Sequence, residues 1–151
     1  MLRIVEGPLH SESIYTYWYA RYSSHNYGAY ITFTGIVRAE KGVDALSFDI
    51  HEPMLRAWFD AWQSRAATEG AIVLMAHSNG DVPIHECSYI AAVLSQNRKV
   101  ALKMIDEFVE DFKANAPIWK YDVKENKRIY AMDRSTPIEG AGILSTGRAN
   151  E

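Results

Sequence analysis

Two short runs constrain this chain more than any other feature. Ala71–Ala76 and Cys87–Leu94 are apolar along almost their whole length, and they flank an Asn79-Gly80 pair. Apolar runs of this length, bounded by turn residues, read as strands in the core of a sheet. With Asn79-Gly80 taken as a turn, they predict the antiparallel centre of the fold.

Other segments build outward from that centre. Met1–Pro8 reads as a short strand or arm. Ser11, Glu12, Ile14, Tyr15, Trp18 and Tyr19 predict a capped amphipathic helix that ends before Ser23, and Asn26-Tyr27-Gly28 predicts a turn. Ala29–Thr34 alternates strictly, with Ala29, Ile31 and Phe33 on one face and Tyr30, Thr32 and Thr34 on the other. Gly35 allows a bulge before Arg38. Residues 39–44 read as a polar, hairpin-like connection into a second alternating strand, Ala45–His51. Pro53 suits the first turn of a helix whose stripe is Leu55, Trp58, Phe59 and Trp62, with Gly70 at its end.

A last helix is expected from about Asn97 to Ala114, with Met104, Ile105, Phe108 and Phe112 facing the sheet. Pro117 disfavours helical geometry at Ala116 and turns the chain out. Residues 120–134 predict one more hairpin. The Gly-, Ser- and Ala-rich stretch 137–151 is expected to be a flexible tail after a single catalytic domain spanning 1–136. This order of elements predicts an α+β fold, with three helices on one face of a mainly antiparallel sheet and a small β hairpin subdomain. Strands separated by a helix can also pair in parallel, so the topology stays open at this level.

Composition narrows the function. A chain of 151 residues that is 48% hydrophobic can bury roughly 70% of its unfolded surface, enough for a core without staples. One cysteine, Cys87, excludes an internal disulfide framework and fits a reducing compartment. A formal charge of −3 offers no general attraction to nucleic acid or acidic membranes. The N-terminus is too short and charged for a secretory signal, and no apolar run approaches the ~20 residues of a membrane span. A cytoplasmic protein with neither nucleic-acid nor membrane partners is expected.

Cations at element ends point to a small anion. Lys113 and Lys120 flank Ala-Asn-Ala-Pro-Ile-Trp, Arg98 stands at the start of the last helix, and Arg38 closes the Phe33 strand. Each also has a plain structural reading. Lys113 can stabilise a helix C-terminus, Lys120 can be a solvated loop charge, and Arg38 can protect a sheet edge. Two observations favour a site. Trp119 would anchor the backbone beside Lys120, and Arg98-Lys99 opposes the dipole at a helix N-terminus, where anions bind. Two ammonium groups held close would depress one pKa and leave an amine usable as base or nucleophile.

Metal and nucleophile signals are weak. His85-Glu86-Cys87 has no second ligand pair at zinc spacing, His51 and His77 are isolated and read as structural, and Cys87 reads as buried and inert. No bound metal or cofactor is expected.

At these residues the chain resembles the large, catalytic subunit of molybdopterin synthase. The likeness rests on Phe33-Thr-Gly-Ile-Val-Arg38, His51-Glu-Pro-Met54, His77 with Gly80, Ser95 with Arg98, and Lys113 through Pro117-Ile-Trp-Lys120. The Thr-Gly-x-Val-Arg and Pro-Ile-Trp-Lys segments are specific in combination.

The resemblance implies an α/β-hammerhead fold and a homodimer that binds a small ubiquitin-like sulfur carrier at each end, making a heterotetramer. It implies transfer of sulfur from the carrier's C-terminal Gly-Gly thiocarboxylate to cyclic pyranopterin monophosphate, in two rounds. On this carry-over Lys113 and Lys120 are catalytic. Phe33, Arg38, Asn97, Arg98 and Arg134 hold the substrate, with Arg98 and Arg134 supplied by the neighbouring protomer. The chain departs from the family pattern at four places: Asn97 replaces a histidine, Ser78 follows His77 in place of arginine, His85-Glu86 stands in place of Gly-Glu, and Tyr121-Asp122 follows Lys120 in place of a more basic, Glu-containing pair. A non-catalytic anion- or partner-binding module on the same fold, and a zinc protein using His85 and Cys87, are the alternatives.

Overall fold

The structure, a computed structural model, describes residues 1–131. Arg134 and the stretch 137–151 lie outside the described residues. The elements are β1 (Leu2–Glu6), α1 (Ser11–Tyr22), β2 (Ala29–Ile36), β3 (Ala45–Ile50), α2 (Glu52–Thr68), β4 (Ala71–Pro83), β5 (Cys87–Ser95), α3 (Arg98–Asn115), β6 (Ile118–Lys124) and β7 (Lys127–Tyr130). The strands follow the order β2-β5-β4-β3-β6-β7, and β1 adds to β4. The β1–β4 pair is parallel and the others are antiparallel. The α+β class is as expected.

β4 differs from its expectation in an instructive way. Asn79-Gly80 is no turn: it lies inside one strand running from Ala71 to Pro83. Gly80 has φ +79°, a backbone state open to glycine at little cost, so the strand bends without ending. Before the bend, Ala71–His77 pair with β5. After it, Gly80–Pro83 pair with β3. The Asn79 side chain donates to Glu6 at 2.6 Å and ties β1 to the bend. The reversal into β5 comes later, where His85 takes φ +70° and the Glu86 N–H donates to the Pro83 carbonyl.

Residues 39–44 also differ from expectation. A tight turn is present, with the Val43 N–H bonded to the Glu40 carbonyl at 3.0 Å. It joins no hairpin, however, because β2 pairs with β5 while β3 pairs with β4 and β6.

The helices cover both faces of the sheet instead of one. Leu55, Phe59 and Trp62 of α2 and Met104 and Phe108 of α3 pack on Val73, Met75, Ala91 and Val93. Ile14 and Trp18 of α1 pack on the opposite face, against Leu74, Ala76, Ile90 and Ala92. Alternate residues of β4 and β5 thus enter two cores, which is why Ala71–Ala76 and Ile90–Leu94 are apolar at every position. Each large side chain buried in this way contributes roughly 1.5–3 kcal/mol. Ser11 begins α1 inside its first turn. The capping position is His10, and no side-chain cap bond forms there.

Candidate active site

The end of α3 is where the fold concentrates its chemistry. Pro117 forces Ala116 into extended backbone (φ −65°, ψ 133°), and the Ala116 N–H closes the helix by donating to the Phe112 carbonyl at 3.0 Å. The chain then enters β6 antiparallel to β3, with Lys120 opposite Phe48. Along β6, Trp119, Tyr121 and Val123 are buried, whereas Ile118, Lys120 and Asp122 lie on the other face. That alternation returns Lys120 to the cleft that Lys113 reaches from the last turn of the helix.

The cleft has a volume of about 670 Å³. One wall is the end of β2 and its continuation, from Phe33 to Arg38. Another is the end of α3, with Val109, Phe112 and Lys113. Leu46, Phe48, Ile118 and Lys120 form a third, and Glu40, His77, Ser88 and Tyr89 also line it. Gly35 makes the first wall possible. A Cβ there would come within 3.1 Å of the Tyr89 Cβ, closer than nearly all ordinary contacts, so glycine lets β2 lie tight against its partner as the ladder shifts register.

Four of the expected site residues therefore meet: Phe33, Arg38, Lys113 and Lys120. Phe33 is 39% exposed, with its ring tilted over Tyr89 at 5.9 Å. The Arg38 side chain is 83% exposed and lies 3.6 Å from the Glu40 carboxylate. In water such a pair is weak, so the guanidinium is readily available to an incoming anion. Arg98 and Asn97 do not join them within one chain. They sit at the start of α3, where Arg98 is about 22 Å along the helix from Lys113. The Asn97 side chain caps the helix, accepting from the Val100 N–H at 3.0 Å. The expectation for Arg134 falls outside the described residues.

Of the lining residues that escaped the reading of the sequence, two stand out. His77, taken there as an isolated structural histidine, is 2% exposed and lines the cleft. Its ring lies edge-on to Phe48 at 4.9 Å, and its Nδ1 is 2.7 Å from the Ser78 carbonyl. A carbonyl only accepts, so Nδ1 carries the proton and Nε2 of the neutral ring is the acceptor. Burial lowers its pKa to about 4, with nearby Lys120 acting in the same direction and the Ser78 bond opposing. The other is Tyr89, the cross-strand partner of His77. The available signal was weak: each stands beside an apolar run, Ala71–Ala76 for His77 and Ile90–Leu94 for Tyr89.

The zinc alternative finds no support. Among the described residues no group of three or more His, Cys, Asp or Glu side chains clusters as metal ligands. His51 caps α2, accepting from the Met54 N–H at 3.3 Å. Burial raises the pKa of the Cys87 thiol, the direction of an unreactive cysteine.

A bent sheet carrying a cleft lined by Arg38, Lys113 and Lys120 at the end of its last helix defines the class of α+β domain to which this chain belongs. Comparison with known proteins makes the class specific. The family model described as MoaE protein matches residues 5–115. The molybdopterin synthase catalytic subunit of Helicobacter pylori (strain ATCC 700392 / 26695) is 45% identical over 145 residues, covering 96% of this chain and 100% of that protein. That of Bacillus subtilis (strain 168) is 30% identical over 129 residues, with 82% and 79% covered.

Among solved structures, the complex of subunits 1 and 2 of the molybdopterin-converting factor from Helicobacter pylori 26695 matches with a TM-score of 0.89 at 45% identity. The match covers 95% of this chain and 98% of that one. Molybdopterin synthase from Staphylococcus aureus matches at 0.72 and 26% identity, over 85% and 94%. The chain belongs to the MoaE family, that of the molybdopterin synthase catalytic subunits.

Proposed function

We propose that this protein transfers sulfur from the C-terminal thiocarboxylate of a small ubiquitin-like carrier to cyclic pyranopterin monophosphate, forming the dithiolene of molybdopterin. The observation that carries this reading is the convergence of Lys113, Lys120 and Arg38 on one cleft in a chain 45% identical, over nearly its full length, to a molybdopterin synthase catalytic subunit.

The chemistry suits these groups. A thiocarboxylate and a cyclic phosphate are both anions, and three cations lower the cost of bringing them together. The sulfur is already nucleophilic, so no activated serine or cysteine is required. As the carbon–sulfur bond forms and a carbon–oxygen bond breaks, a lysine ammonium supplies the proton that the departing oxygen takes up. The thioester left between carrier and pterin is then opened, leaving sulfur on the pterin and the carrier's acyl group on water or a lysine amine. A second round installs the second sulfur.

Arg98 and Arg134 enter this reading through a second copy of the chain, each protomer completing the other's cleft, with one carrier at each end of the dimer; Asn97 is the residue before Arg98. The catalytic domain is taken to extend to residue 136. The setting is cytoplasmic: a lone cysteine fits a reducing compartment, and no described helix is long and apolar enough to cross a membrane.

Incubation with thiocarboxylated carrier and the pterin substrate tests the reading. Loss of the carrier's sulfur by mass spectrometry, matched by dithiolene formation, is the expected result. A carrier that binds and keeps its sulfur would instead identify a binding module.

A further inference from the structure

One residue that lines the cleft carries a buried hydroxyl with no hydrogen-bond partner. Tyr89 is 5% exposed, and its phenolic oxygen is buried without a hydrogen-bond partner. The ring is held on several sides. It stacks on Phe112 at 4.1 Å and 8°, lies 5.7 Å from His77 and 5.9 Å from Phe33, and has Gly35 against its Cβ. Packing alone does not call for the hydroxyl. Phenylalanine would fill the same space without stranding a polar atom, and buried polar atoms in folded proteins are nearly always paired.

The surroundings indicate what would pair with it. The cations Lys113 and Arg38 are exposed, whereas His77 and Tyr89 are buried and uncharged. Burial pushes the Tyr89 pKa well above 10, so the phenol keeps its proton and can donate. Charged parts of an occupant are therefore met by the exposed cations, and the group that reaches Tyr89 is a neutral acceptor.

We propose that Tyr89 is a substrate-binding residue whose hydroxyl donates a hydrogen bond to a neutral carbonyl oxygen of the molecule that fills the cleft. Phe33, exposed at the rim of the cleft, packs its ring 5.9 Å from that of Tyr89. The proposal rests on the sulfur-transfer reading above. Two occupants of that reading carry such a carbonyl: the peptide groups of the carrier's Gly-Gly tail and the pterin ring.

The test is Tyr89→Phe in the full chain, which removes only the hydroxyl. Carrier affinity is measured by titration, pterin KM in the turnover assay, and Tm by thermal unfolding. With Tm unchanged or raised, the variant should lose about three- to tenfold in one of the two binding measurements. Loss in carrier affinity assigns the carbonyl to the Gly-Gly tail, and loss in pterin KM assigns it to the ring. Wild-type values in both measurements overturn the proposal. So does a fall in Tm accompanied by equal losses in both, which would make the hydroxyl structural. A wild-type protein that binds carrier without turnover would fail the sulfur-transfer reading instead, and the titration arm would still decide the role of Tyr89.

Discussion

Lys120 is positioned by its neighbours along the strand. Trp119 and Tyr121 are buried on one face of β6 and pack with Met54 and Tyr130, so the lysine between them is committed to the other face. The sequence made the anchoring role of Trp119 legible because a large aromatic beside a charge has few places to go. His77 was not legible, since nothing in a single strand says what packs against it from three other elements. Its burial has a measurable consequence. The neutral ring is favoured in the folded protein, with a pKa of about 4 against an ordinary 6.5. Between those values the unfolded chain binds a proton that the folded one does not. Stability is therefore full above about pH 6.5 and falls as the pH drops toward 4, by on the order of 3 kcal/mol from this group. Denaturant titrations at pH 7 and pH 4.5, wild type against His77→Gln, should show a steeper loss in wild type. Equal losses would contradict the assignment.

At the scale of elements, α3 must be held so that its last turn faces β6. Asp111 does this from one turn above the helix end: its carboxylate accepts from Trp58 Nε1 at 2.9 Å and Trp62 Nε1 at 2.6 Å, locking α3 to α2. Asp111→Ala leaves two indole N–H groups without their acceptor. It should cost about 2 kcal/mol and lower Tm by several degrees, and Asp111→Asn, which keeps one carbonyl acceptor, should cost less. Thermal unfolding of both variants checks the order. Element types were legible wherever periodicity was strong, as in the α2 stripe and the alternation of Ala29–Thr34. The bend in β4 was not, because Asn79-Gly80 is equally good for a turn and for a kinked strand. Pairing partners decide between them, and those lie far away in sequence: Asn79 is held by Glu6, and Gly80 pairs with Phe48. The second helix-covered face was likewise hidden, because two apolar faces and one look alike along a single run.

For the whole molecule, the separation of Arg98 from Lys113 is the informative distance. Both residues were legible as candidates, yet one helix places them at opposite ends. An arrangement in which each protomer completes its partner's cleft reconciles them, and it predicts complementation. Arg98→Ala and Lys120→Ala homodimers should each be severely impaired. When they are mixed and allowed to exchange subunits, half the dimers are hybrid, and each hybrid has one cleft with both residues intact. About a quarter of wild-type turnover should return. No recovery despite verified exchange would place Arg98 outside the partner's cleft.

The central claim is that the cleft joining Lys113 and Lys120 performs the sulfur transfer. Single-turnover dithiolene formation, with wild type, Lys113→Ala and Lys120→Ala each pre-bound to thiocarboxylated carrier, tests it most directly. Lys120→Ala should bind carrier as wild type does and form no dithiolene, and Lys113→Ala should be slowed severely. Dithiolene formed by Lys120→Ala at the wild-type rate would contradict the claim.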